Sequence, residues 1–284
     1  MSAPVIGQGS HVGQEGGCVM EWVALLDQGH AQVAVDGLPT LREDRTWITL
    51  GVQEAKTDLT RCANQVIAYA AQQANDATAD EDRDEFGRRF LTRIRRAKRL
   101  GSDATEKRIN VRLALFASRE VGDLVPAKLR AGRDECWAVV ERWLAGEATE
   151  AECAEVDARV RKGYRAAVRV AAVGVDADAD AAADWAAVRA AAASAAVAAA
   201  ADAAAAVAVA AAAAASAARA AAAGVDAGVD AAASAARAAR QDWLDRLLDA
   251  HEKAVAEEGA YDELLELWEA DACAFAEGEA GVSS

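Results

Sequence analysis

The chain has 284 residues, a formal net charge of −15 and 53% apolar residues, but 79 residues are alanine and only 5% are aromatic. That composition excludes a collagen, a disulfide-dense miniprotein and a charged disordered tail as the whole chain, and the length allows one large or two modest domains. Charge is segregated: segment 83–133 is net +9, while segment 241–284 is net −11.

Residues 1–17 are rich in Gly, Ser and Gln without periodicity, so 1–13 is expected to be a loose arm. Val19, Trp22, Val23 and Leu26 recur at helical spacing and predict a short helix over 19–27. Gln32–Val35 and Thr46–Leu50 alternate like strands around the turn signal Asp36-Gly37-Leu38-Pro39, which predicts a small hairpin. Two strands alone are marginal in water, so these must pack on helices. From about residue 57 the pattern is helical. Thr57 or Asp58 is placed to cap a helix with Leu59, Cys62, Val66, Tyr69 and Ala70 on one face. Asp80 caps the next, whose apolar stripe is Phe86, Phe90, Ile94 and Ala97, and Gly101 stops it.

Ser102 or Asp103 restarts a helix with the stripe Ile109, Leu113 and Phe116, ending near Gly122 and Pro126. Arg133-Asp134 opens a helix holding Trp137, Val140, Trp143 and Leu144, which Gly146 ends. Thr149 and Glu152 have the spacing of a capping box, and the helix they open carries Cys153, Val156, Val160 and Ala167 toward Val173. Gly-Val-Asp-Ala at 174–177, 224–227 and 228–231 pairs a helix-ending Gly with an Asp N-cap. Three helices are therefore expected, ending near Val173, running through 177–223, and starting near Asp230 to reach about Glu258. After Gly259 a final acidic helix over 261–276 carries Leu264, Leu265, Leu267 and Trp268, and 277–284 is a loose end.

Of the 43 residues in 181–223, 32 are Ala. Alanine has the highest helix propensity, so this block reads as one long helix. Methyl groups bury little area each but let helix backbones approach closely, so the block is expected to pack on neighbouring helices or on a second copy of itself. Trp185, Val188, Val197, Val207 and Val209 keep no heptad, which excludes a regular coiled coil. No Thr follows Thr149, which excludes an ice-binding Thr row. A membrane span is rejected because alanine drives insertion weakly and Asp202 and Arg219 interrupt the run.

The five cysteines, Cys18, Cys62, Cys136, Cys153 and Cys273, form no C-x-x-C pair, and an odd number cannot all pair within one chain. They read as reduced, buried thiols in a cytoplasmic protein without a secretory signal. Cys18, His30 and Cys62 are the one combination of thiolate and imidazole suited to zinc, with Glu21 as a further ligand, although no paired-ligand spacing supports them. Cys18 follows Gly16-Gly17 near a helix start, where a thiol pKa is lowered, but no His is placed beside it as a nucleophile requires. Phosphate-loop and dinucleotide signatures are absent, and no cofactor is expected. Arg88, Arg89, Arg93, Arg95, Arg96, Lys98 and Arg99 are the strongest local charge signal. They are candidates for phosphate contact with nucleic acid in the 83–112 region. The competing reading matches them internally to Asp76, Asp80, Glu81 and Asp82 or to the acidic 241–284 segment, which itself has the charge of a surface for a basic partner.

Several stretches resemble a family of uncharacterised, alanine-rich helical proteins found mainly in actinobacteria. They are Gly17-Cys18-Val19-Met20-Glu21-Trp22-Val23-Ala24-Leu25-Leu26, Arg61-Cys62 leading to Val66-Ile67-Ala68-Tyr69 and Asn75-Asp76, Arg99-Leu100-Gly101-Ser102, the Ala run, and Leu244-Asp245-Arg246-Leu247-Leu248. The resemblance spans most of 14–255. It departs by a longer insert between Leu26 and Cys62 and by few Trp in the Ala block. It implies a shared N-terminal core involving Cys18, Glu21 and Cys62, and no activity.

The fold expected is all-α, an antiparallel helical bundle or array with a long Ala-rich helix and a small N-terminal β-hairpin. An N-terminal helical unit over 14–133 precedes an Ala-rich unit over 134–276. The function expected is that of a non-enzymatic interaction or scaffold protein that self-associates or binds a protein partner. Nucleic-acid association and a metal or cysteine site are the alternatives.

Overall fold

The computed structural model describes residues 6, 18–28, 30–42, 63–171, 213, 214, 217 and 229–268; side chains at 163–171 and 229 are not described. Among the described residues the fold is mostly α-helical with one two-stranded antiparallel sheet. The chain divides into two compact units, one of Met1–Ser102 with Val255–Ser284 and one of Asp103–Ala254.

The first unit is built around α1 (Val19–Asp27), in which every side chain from Val19 to Leu26 is buried. Burying each Val or Leu contributes about 1.5–3 kcal/mol, so this short, almost uncharged helix is held by its environment rather than by propensity. β1 (Ala31–Val33) and β2 (Pro39–Leu41) pair with Ala31 opposite Leu41. The second strand thus follows the Asp36-Gly37 turn at once, rather than starting at Thr46; the 46–50 segment lies outside the described residues. The turn closes early because Asp36 Oδ1 accepts from the Leu38 N–H at 3.1 Å and Gly37 takes a left-handed φ of 82°.

α2 (Gln65–Ala77) is headed by Asn64, whose Oδ1 accepts from the N–H groups of Val66 and Ile67 at 3.0 and 3.2 Å. Val66, Ile67, Ala70, Ala71 and Ala74 form its buried face, and Tyr69, expected on that face, is 41% exposed. Thr57 and Asp58 therefore do not cap this helix, which starts later than expected because the Asn64 side chain satisfies its first N–H groups; Leu59 and Cys62 themselves lie outside the described residues. A 3-10 turn at Asp80–Asp82 leads into α3 (Arg83–Arg96), which buries Phe86, Phe90 and Ile94 as its period predicts. Phe86 and Phe90 meet with ring centroids 4.8 Å apart. Ile6 differs from a loose arm: it is fully buried, and its N–H donates to Asp84 Oδ1 at 3.3 Å. Gly87 makes room for it, since a Cβ there would stand 2.7 Å from Ile6 Cγ1.

The second unit holds α4 (Asp103–Glu120), α5 (Arg130–Leu144) and α6 (Glu150–Ala171). α5 begins three residues before the Arg133 start expected from sequence, after a 3-10 turn at Ala127–Leu129. The capping box of α6 is present: Thr149 N–H donates to Glu152 Oε2 at 2.8 Å, and Glu152 N–H donates to Thr149 Oγ1 at 3.2 Å. α7 (Val229–Glu257) lies within a residue of the expected bounds, with Asp230 in its first turn rather than at its N-cap, and is followed by Gly259 at φ 67°. Residues 261–268 are helical again. Of the Ala-rich block only 213, 214 and 217 are described, so the long-helix expectation lies outside the described residues. No helix among the described residues is long and apolar enough to cross a membrane.

Candidate functional site

Cys18 heads α1. Its backbone N–H donates to Glu21 Oε2 at 2.7 Å, which satisfies one of the donors every helix start leaves open. The helix start does not make this thiol acidic. Burial foremost, and then the Glu21 charge, push its pKa up to about 12, outweighing the helix-end effect that favours a thiolate. The expectation of a lowered pKa at Cys18 is therefore corrected. His30 lies just before β1 and is half-buried; its backbone N–H donates to the Leu25 carbonyl at 2.8 Å. Cys62 lies outside the described residues, and with it the combination of Cys18, His30 and Cys62. Among the described residues no three His, Cys, Asp or Glu side chains are grouped to hold a metal. Cys136 and Cys153 are buried thiols in the second unit, and burial raises both, Cys136 to about 12.

The basic run is the richer region, because α3 puts its arginines to several uses. Arg95 Nε donates to Asp27 Oδ1 at 2.9 Å, and Lys98 Nζ stands 2.6 Å from Asp27 Oδ2. This carboxylate ends α1 and ties it to α3. Arg88 bonds the Asp36 carbonyl and Glu85, each at 3.2 Å, which fastens the hairpin turn to the same helix. Arg83 pairs with Asp80 at 2.5 Å. Arg89 is exposed, with its guanidinium 4.8 Å from the Phe90 ring centre. Arg96 is exposed and lies 5.7 Å from the Trp268 ring centre, and Arg99 is half-exposed. Internal matching thus engages Arg83 with Asp80, Arg88 with Glu85 and the Asp36 carbonyl, and Arg95 and Lys98 with Asp27.

Sequence reasoning missed Asp27 and Trp268. Asp27 carried a faint signal, a lone acid closing an apolar helix. Trp268 carried none beyond being, with Tyr261, an aromatic in a Leu-rich acidic stretch.

The second unit is cross-braced. Ion pairs join Lys107 to Glu150, Arg119 to Glu141, Arg159 to Glu135 and Arg246 to Glu120. Trp137 is held between Arg133 and Arg119, at 4.5 and 5.7 Å from its ring centre, and donates its indole N–H to Ser118 Oγ at 2.8 Å. Trp143 sits against Lys107 and Arg108. Each exposed pair contributes little alone, but a set spanning helix to helix fixes their register.

No family model, curated protein or solved structure matches the chain.

Proposed function

We propose that the protein is a non-enzymatic helical interaction module that self-associates through its Ala-rich segment. The observation that carries this reading is the bracing on either side of that segment. α6 precedes it and is paired to α5 through Arg159 and Glu135. α7 follows it and is paired to α4 through Arg246 and Glu120. Phe116 and Trp243 stack beside the latter pair, with centroids 5.7 Å apart. A segment joined in sequence at both ends to anchored helices loses less freedom on association than one with free ends. Close approach of small side chains then supplies the contact.

Light scattering across a concentration series tests this. The wild-type chain is expected to form a dimer or larger species that Val207→Glu disperses. A monomer at every concentration overturns the proposal.

A further inference from the structure

α3 has two faces. Phe86, Phe90 and Ile94 are buried on one. Arg89, Thr92, Arg93 and Arg96 fall within one arc on the other, because steps of three and four residues return to the same side of a helix. Arg89, Thr92 and Arg96 are exposed and Arg93 is half-exposed. Arg89, Arg93 and Arg96 therefore form a row about 10 Å long at 1.5 Å per residue. Residues 83–99 carry eight basic and two acidic side chains, and seven of the eight are arginine.

The chain's own residues 261–268 occupy the far end of this row, within the same unit. Trp268 donates its indole N–H to the Arg96 carbonyl at 2.9 Å, and Arg96 lies over the indole. Tyr261 meets Trp268 edge-on at 6.2 Å between centroids. The Gly101 N–H donates to Glu263 Oε1 at 2.8 Å. The segment brings Asp262, Glu263 and Glu266 and no basic residue. Leu264 is its one buried side chain, and Tyr261 is 46% exposed. With one fully buried side chain and the rest half-buried or exposed, this short segment opens at smaller cost than the core helices.

We infer that residues 261–268 are an intramolecular latch at the Arg96 end of a phosphate-binding row of Arg89, Arg93 and Arg96, and that a nucleic-acid strand takes the full row when the latch opens. Three observations favour a nucleic acid over an acidic peptide. The row is arginine rather than lysine, and the guanidinium fork matches phosphate oxygens two at a time. Its charges repeat along a line, as phosphates do on a strand. Thr92 stands within the row as a further hydroxyl donor to phosphate oxygen. The net charge of −15 acts weakly here, since screening over roughly 8 Å lets nearby charges decide. The latch's three carboxylates lie in the segment that contacts the row, so closing it lowers the local positive field.

The test uses the full chain and a fluorescently labelled DNA single strand of about twenty nucleotides, long enough to span the row. Trp268→Ala undoes the latch without changing formal charge. It is expected to bind about tenfold more tightly than wild type at low salt, with a logarithmic salt slope of about −2 for three phosphates. Glu263→Gln, which keeps Trp268, is expected to shift affinity the same way by less, and it carries the test if Trp268→Ala fails to fold. Replacing Arg89, Arg93 and Arg96 by Gln in the opened chain is expected to abolish the gain. The inference is overturned if neither latch variant binds the strand more tightly than wild type, or if the gain survives the triple arginine substitution. Polyglutamate competing as well as unlabelled strand would also overturn it, pointing to an acidic protein partner.

Discussion

Lys98 places its ammonium 2.6 Å from the carboxylate of Asp27, and both side chains are only 9% exposed. With Arg95 on the other oxygen, one acid at the end of α1 neutralises two cations of the α3 region. Removing one member of a shielded pair is costly because the other charge loses its partner while staying out of water. Asp27→Asn is expected to destabilise the first unit by about 3 kcal/mol. Adding Lys98→Met is expected to restore part of that loss. Urea denaturation of the single and double variants checks this, and a single-variant loss below about 1 kcal/mol, the range of exposed pairs, would contradict it.

Gly122 is a packing requirement of the second unit. A Cβ on it would stand 2.5 Å from Trp137 Cη2 and 2.9 Å from Cζ2. The indole has little room to yield, being bonded to Ser118 and flanked by Arg133 and Arg119. Gly122→Ala is expected to cost about 1–3 kcal/mol by overpacking and to alter the near-ultraviolet tryptophan dichroism. An unchanged denaturation midpoint together with an unchanged near-ultraviolet spectrum would show that the ring moves freely.

His251 supplies a pH dependence. It is 1% exposed, and its Nε2 has no hydrogen-bond partner among the described residues. Burial lowers its pKa from 6.5 to about 4. Above pH 6.5 both folded and unfolded chains hold it neutral, and it contributes no pH dependence. As pH falls from 6.5 to 4 the unfolded chain takes up a proton that the folded chain refuses, so stability falls across that window, by about 3 kcal/mol in all. Denaturation midpoints at pH 7 and pH 4.5 are expected to differ more for wild type than for His251→Leu, whose remaining slope belongs to the carboxylates. Equal slopes for the two proteins would contradict a proton-refusing His251.

The local elements were legible because each is specified by neighbours in sequence. Thr149 and Glu152 announce the start of α6, the spacing of Phe86, Phe90 and Ile94 announces the buried face of α3, and Gly259 marks the break after α7. The second strand was displaced because Asp36 and Gly37 close the turn sooner than alternation alone suggests. Val66 and Ala70 are buried as their spacing predicts, yet Tyr69 is not, because the packed surface extends toward Ile67, Ala71 and Ala74.

The chain's order of residues by itself determined which of the described stretches are helical and most of their apolar flanks, since caps, glycines and period act over a few residues, while the starts of α2 and α5 shifted by several residues. Tertiary structure alone decided what the charges do. Whether an arginine meets Asp27, a backbone carbonyl or an indole depends on residues as many as 172 positions away, as Arg96 and Trp268 show. The same holds for Cys18, where the apolar residues enclosing the thiol outweigh the helix end beside it. Coulombic and desolvation effects act through space, so no local pattern records them.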